Sequence, residues 1–172
     1  MQLKNKLLFV FVIFLSLTLI YLNVSTLSKI VTNNYVAENV AQSYSKQVEC
    51  LAKNIYYEAG HESYEGKLAV AQVTLNRTNN SRFPQDICAV VYQRDGSTCQ
   101  FSWTCESQHA LHDKYSWEEC VYIAKRAMMD PFVHPELARL NVLYYHASYV
   151  DPGWSKKGQV ITIGNHIFYK RI

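Results

Sequence analysis

The chain has 172 residues, 49% of them apolar and 18% charged, with a net charge of +3. Lys4, Lys6 and Lys29 carry that excess, so from residue 32 onward 14 basic side chains face 14 acidic ones and the body is neutral. This argues against a nucleic-acid binder, which carries a basic stripe that displaces phosphate counterions, and a body of this length holds one domain with a real core rather than two.

In chain order, residues 1–6 read as a short cytoplasmic tail and residues 7–24 as a membrane-spanning signal anchor. Leu7 to Leu22 is apolar apart from Ser16 and Thr18, and no charge follows until Lys29. Such a run of about 18 residues, at roughly 1.5 Å each, nearly crosses the hydrocarbon core of a bilayer. Lys4 and Lys6 precede it, so the positive-inside tendency places the body outside the cytoplasm. A cleaved signal peptide is the competing reading, but no A-x-A site follows Leu22. Residues 25–48 are polar with little periodicity and read as a tether or stalk, which leaves 49–172 as the exported domain.

In that domain Leu51, Ala52 and Ile55 form one face of a helix running to Glu58, with Gly60 as a stop that accepts a left-handed conformation. A second helix starts near Ser63 and runs to Arg77. Its middle is apolar nearly all round, as expected of the central helix. Ile87, Val90 and Val91 sit in a short helix or turn, followed by a loop from Arg94 to Thr104. Residues 117–129 put Val121, Ala124 and Met128 on a helical stripe that Pro131 and Pro135 end. Leu143–Tyr149 and Val160–Tyr169 are aromatic and β-branched and predict two or three short strands. The thirteen Tyr and three Trp residues are read mostly as core, a few as sugar-stacking rings.

The five cysteines, Cys50, Cys88, Cys99, Cys105 and Cys120, all lie in the body, in keeping with an oxidising compartment. An odd number leaves one thiol over; Cys99–Cys105 is the expected local bridge, and the other pairing stays open. Their spacing is no zinc signature. His109 and His112 lie three apart but lack a clear third ligand, so they read as a polar helix surface; neither a metal nor a cofactor is expected.

Glu58, at the end of an apolar helix, is placed to be partly desolvated, which raises a carboxyl's pKa toward that of a general acid. Taken alone the residue is weak evidence. The ordered blocks Ala52–Ala59, Glu62, Glu65-Gly66, Ala69–Ala71, Leu75-Asn76-Arg77, Phe83-Pro84, Val90–Gln93, Cys99–Cys105 and Ile163–Tyr169 together resemble the SleB-like cell-wall hydrolases, the spore-cortex-lytic type. The resemblance covers residues 49 to 170. It implies an α+β, mainly α, lysozyme-like catalytic domain with a small C-terminal β element, preceded by one N-terminal transmembrane helix. It also implies cleavage between N-acetylmuramic acid and N-acetylglucosamine, with the family's glutamate falling on Glu58. Gln100, Phe101 and Ser102 then line the cleft, and Glu65, Tyr145, His146 and His166 are further substrate-binding candidates. The chain departs from the family pattern at Gly60-His61 and Glu106-Ser107.

One carboxyl suffices for a lytic transglycosylase, whereas an inverting hydrolase needs a second one about 6.5–9.5 Å away. Glu62, Glu65, Glu106 and Asp113 are available, with Glu62 read as a solvated turn residue and Glu65 as a cap or positioning group; the transglycosylase is preferred by the resemblance. The expected partners are peptidoglycan glycan strands, and the membrane through the N-terminal helix. Alternatives are a cysteine-dependent amidase or peptidase, and a non-catalytic glycan-binding lysis accessory. The sequence leaves open a bacterial or phage origin and the oligomeric state.

Overall fold

Long apolar stretches with no glycine or proline favour one uninterrupted helix, and α1 (Gln2–Ala59) runs through both the apolar segment and the polar residues 25–48. The computed structural model describes residues 2–106, 111–155 and 158–170. The chain divides into two compact units, Met1–Tyr44 and Ser45–Ile172.

In the first unit, Phe11, Phe14, Leu17 and Ile20 are exposed. The polar side chains among them turn back on the helix: Ser16 and Thr18 donate to the carbonyls of Ile13 and Leu15, both at 2.8 Å. That satisfies the hydroxyls without water. Phe11–Ala59 is long and apolar enough to cross a membrane by length and composition, a test that a signal sequence also passes.

The second unit is organised around α2 (Tyr64–Thr78), which follows the end of α1, and whose Ser63 cap accepts from the Gly66 N–H. Ala69, Val70, Ala71 and Val73 are fully buried. Val70, Ala71 and Leu75 pack with Leu51 and Ile55 of α1, whereas Ala69 and Val73 pack with Leu137, Val142 and Phe168. One helix therefore serves two clusters, as its all-round apolar middle requires. Cys50 is bridged to Cys88 at the start of α3 (Ile87–Val91). The segment expected as a plain loop after Gln93 contains a small hairpin, β1 (Arg94–Asp95) with β2 (Thr98–Cys99), and a 3-10 turn over Ser102–Thr104. The expected Cys99–Cys105 bridge ties hairpin to turn.

Helix α4 (Lys114–Met129) buries Cys120, Ile123, Ala124 and Ala127. Of the expected stripe only Ala124 is fully buried, because the helix meets α2 through its small side chains and Val121 and Met128 are left at the margin. Pro135 opens α5 (Pro135–Arg139) instead of closing α4, and a proline is tolerated at such a start because no N–H is needed there. The C-terminal sheet is antiparallel in the order β3 (Tyr144–Ala147), β5 (His166–Tyr169), β4 (Gln159–Ile163), with Tyr145 opposite Phe168 and Ala147 opposite His166.

Gly60 does stop α1, but not in the left-handed conformation, which Gly96, Gly153, Gly158 and Gly164 adopt instead. Its glycine is needed because a Cβ would collide with the Tyr56 carbonyl, which accepts from the Gly60 N–H at 3.0 Å.

Candidate active site

Glu58 stands on the last turn of α1, half-buried, between two concave arms. The first arm, about 640 Å³, is lined by Arg77, Gln93, Gln100, Phe101, Tyr144, Tyr145 and Trp154 among others. The second, about 500 Å³, is lined by Tyr56, Tyr57, His61, Glu62, His112, Asp113 and His166 among others. Glu58 and its carboxyl thus lie where the two arms meet.

The central helix sets what faces that carboxyl. Asn76 donates to the carbonyls of Leu137 and Val142 at 2.9 and 2.8 Å, and Arg77 Nε donates to Leu143 O at 2.8 Å. Those bonds fix the residues just before β3, and alternation along the strand then turns Tyr145 toward α1. Its hydroxyl donates to Glu58 Oε2 at 3.1 Å. Burial holds the Tyr145 phenol well above its ordinary pKa, so it stays a donor.

Burial also raises the Glu58 pKa, and the Tyr145 hydrogen bond and the nearby Arg77 charge partly offset it. A carboxyl so placed keeps its proton into a range where a solvated glutamate has lost it, and its conjugate base has a donor waiting. On the second arm, Asn165 donates to Glu62 from its backbone at 3.2 Å and from Nδ2 at 2.9 Å. Gly164 has φ +55°, and a Cβ there would strike the same carboxylate.

The α1 wall holds the Gln100–Cys105 segment by stacking Tyr57 on Trp103, with centroids 4.6 Å apart, and by the Trp103 Nε1 hydrogen bond to Asn54 at 3.2 Å. Residues 61–169 match the family model described as Cell Wall Hydrolase. The chain belongs to the cell wall hydrolase family. The match begins three residues beyond Glu58. Over 134 residues the chain is 31% identical to the spore cortex-lytic enzyme of Oceanobacillus iheyensis, covering 77% of this chain and 45% of that protein. Over 135 residues it is 27% identical to the spore cortex-lytic enzyme of Bacillus subtilis, covering 77% and 41%. The chain therefore spans less than half the length of these relatives. Its fold is similar to the catalytic domain of the germination-specific lytic transglycosylase SleB from Bacillus anthracis, with TM-score 0.53 at 26% identity over 72% of this chain and 93% of that one. The SleB catalytic domain of Bacillus cereus gives TM-score 0.52 at 26% identity over 73% and 90%.

For this family member the structure brings Glu58, Gln100, Phe101, Tyr145 and His166 to the cleft and leaves three candidates outside it. Glu65 is 70% exposed on the first turn of α2, with one oxygen 3.8 Å from His134 Nε2, and favours the helix N-terminus there instead of lining an arm. Ser102 is exposed at the start of the 3-10 turn. His146 lies on the other face of β3 from Tyr145; its ring nitrogens meet Ala147 O and Tyr169 Oη, both at 2.9 Å, so it is spent on the sheet. Glu62, read as a solvated turn residue, does lie half-exposed in the turn after α1, and from there it also clamps the β4–β5 turn. His112 precedes α4 in a non-helical segment whose N–H donates to the Tyr56 hydroxyl at 3.2 Å, while His109 lies outside the described residues. Arg77, Gln93 and Trp154 carry no site role in the sequence reading. The signal for Arg77 was a permanent charge closing a helix whose middle is apolar nearly all round.

Replacing Tyr145 with Phe removes a donor that favours the Glu58 carboxylate. The Glu58 pKa should then rise further, so the alkaline limb of the kcat/KM profile moves to higher pH while kcat falls about tenfold. A pH–rate profile of Tyr145→Phe checks this; a limb that stays in place would separate Tyr145 from the titrating group.

Proposed function

We propose that this chain is a peptidoglycan lytic transglycosylase with a lysozyme-like cleft, in which Glu58 protonates the glycosidic oxygen between N-acetylmuramic acid and N-acetylglucosamine. The resulting carboxylate then takes the proton of the muramic acid 6-hydroxyl, which closes on the anomeric carbon to leave a 1,6-anhydro end. No water enters the products. The observation that carries this reading is the half-buried Glu58 carboxyl at the junction of two arms, with its pKa raised and Tyr145 bonded to it.

The other acidic residues weighed for water activation support the same choice. Glu62 is held by Asn165 through both oxygens. Asp113 caps α4 by accepting from the Tyr115 and Ser116 N–H groups. Glu106 lines a separate hollow with Lys53 and Trp103, and Glu65 lies outside both arms. An inverting hydrolase would need a second carboxyl poised opposite Glu58; besides these four, the acidic residue that lines an arm with Glu58 among the described residues is Asp95, exposed on the small β1–β2 hairpin. The amidase alternative loses its nucleophile: four cysteines are bridged, and Cys120 is buried with its thiol pushed up to about 11 by desolvation.

Mass spectrometry of unreduced digests of purified wall should show anhydro-muramic ends. Reducing ends would replace the transglycosylase with a hydrolase, and freed stem peptides would overturn a glycan-cutting reading altogether.

The N-terminal helix, in this reading, holds the catalytic unit at the outer face of the membrane, with Lys4 and Lys6 on the cytoplasmic side. Removing residues 1–44 should move the protein from a carbonate-washed membrane pellet to the soluble fraction. Persistence in the pellet would place the membrane contact elsewhere.

A further inference from the structure

Arg77 is only 3% exposed yet lines the first arm together with Glu58. Its Nε is committed to Leu143 O, and Phe83, Phe101 and Tyr144 flank the guanidinium, with Cζ 5.4, 5.1 and 5.9 Å from their ring centroids. Nη1 is buried without a hydrogen-bond partner among the described residues. Gln93 lines the same arm. Its backbone carbonyl is taken by the Gln100 N–H at 2.9 Å, while its side-chain Oε1 is buried and equally unpartnered among the described residues.

A buried polar atom left unpaired is costly, and two in one concavity describe the complement of what belongs there. Here they are one donor and one acceptor. A carboxylate would satisfy Arg77 but meet the Gln93 oxygen and the Asp95 side chain, which also lines the arm, as like charge or like dipole. A hydroxyl can accept from Arg77 and donate to Gln93, but one oxygen must then reach both atoms, and it brings no apolar group to set against the aromatic walls. A secondary amide offers a carbonyl to Arg77 and an N–H to Gln93, and an acetyl methyl finds an apolar seat among Phe101, Tyr144 and Trp154.

We infer that the first arm binds the acetamido group of an N-acetylated sugar, with Arg77 Nη1 donating to its carbonyl and Gln93 Oε1 accepting from its N–H. This deepens the glycan-cleaving reading and rests on it. Arg77 and Gln93 are then the residues by which the enzyme tells an acetylated strand from a de-N-acetylated one.

The test is binding, so that it does not depend on turnover. The full-length Glu58→Gln protein is co-sedimented with wall glycan in three forms: native, chemically N-deacetylated, and N-deacetylated then re-N-acetylated. Affinity should fall at least about tenfold on deacetylation and return on re-acetylation, the scale expected when a built hydrogen-bonding site meets a ligand lacking the group. Adding Gln93→Leu should weaken binding to the acetylated forms about tenfold and bring the ratio near one, whereas Gln93→Glu, which keeps an acceptor, should retain discrimination. Arg77→Lys, its fold checked by melting, should lower the ratio as well. Discrimination that survives Gln93→Leu unchanged, or a Glu58→Gln protein that binds all three forms alike, overturns the inference. Failure of the catalytic reading shows differently, as wild-type protein that releases no anhydro ends from any form.

Discussion

Glu58→Gln should lower the rate of wall cleavage by about 10³-fold or more while glycan binding persists. A positioned acid or base is commonly worth 10²–10⁴-fold, and here one carboxyl serves as acid in the first half of the reaction and base in the second. Glutamine keeps the shape and can still accept from Tyr145, so the fold and the two arms are retained. A stability change should accompany the loss. The folded-state pKa of Glu58 lies above its ordinary value of 4.5 because burial disfavours the charge, so the native state binds that proton more tightly than the unfolded chain. Stability is then lost as pH rises from the ordinary value through the raised one. Glutamine removes this loss, so the variant should melt a few degrees higher than wild type at pH 7 and at the same temperature below pH 4. Turbidity clearing with purified wall and melting at the two pH values provide the check. Clearing at wild-type rate would remove Glu58 from the chemistry, and equal melting at pH 7 would mean that its charge is not desolvated.

What the sequence disclosed and withheld follows from the range of each interaction. The central helix was legible because Lys67 to Leu75 is apolar on every side but for its few polar side chains, and burial all round is a local property of such a stretch. The desolvation of Glu58 was legible for the same reason, since its neighbours Tyr57 and Ala59 lie on the same turn. The cap reading of Glu65 was legible too, from its place on the first turn of α2, but the Glu62 clamp was not, because its partner Asn165 lies 103 residues away. His146 was equally opaque: period-two alternation puts Tyr145 and His146 on opposite faces, but nothing local says which face meets α1. That is decided by Asn76 and Arg77 gripping the chain at Val142 and Leu143. The buried stripe on α4, Cys120, Ile123, Ala124 and Ala127, was hidden because three of its four members are small, and bulk is a poor mark of burial where helices pack together.

The two bridges should differ in what their loss does. Cys50–Cys88 closes a separation of 38 residues, which contains Glu58, α2 and Arg77; Cys99–Cys105 closes a separation of 6. By the loop entropy withdrawn from the unfolded chain, the first contributes about 4 kcal/mol and the second about 2 kcal/mol. The first is also braced in the folded state, where Gln47 accepts from the Cys88 N–H at 3.2 Å and donates to Asp86, the cap of α3. Paired serine substitutions at 50 and 88 should therefore lower the unfolding free energy in urea by about 4 kcal/mol and leave KM near wild type as long as the protein is folded. Paired serines at 99 and 105 should cost about half as much stability but raise KM, because Cys99, Gln100 and Phe101 form a wall of the first arm. Cys120 should not exchange into either bridge, since its buried thiol is held protonated and a thiol attacks a disulfide only as thiolate. A stability loss under about 1 kcal/mol for the first pair, or a raised KM confined to that pair, would contradict this division between a bridge that holds the fold and one that shapes the cleft.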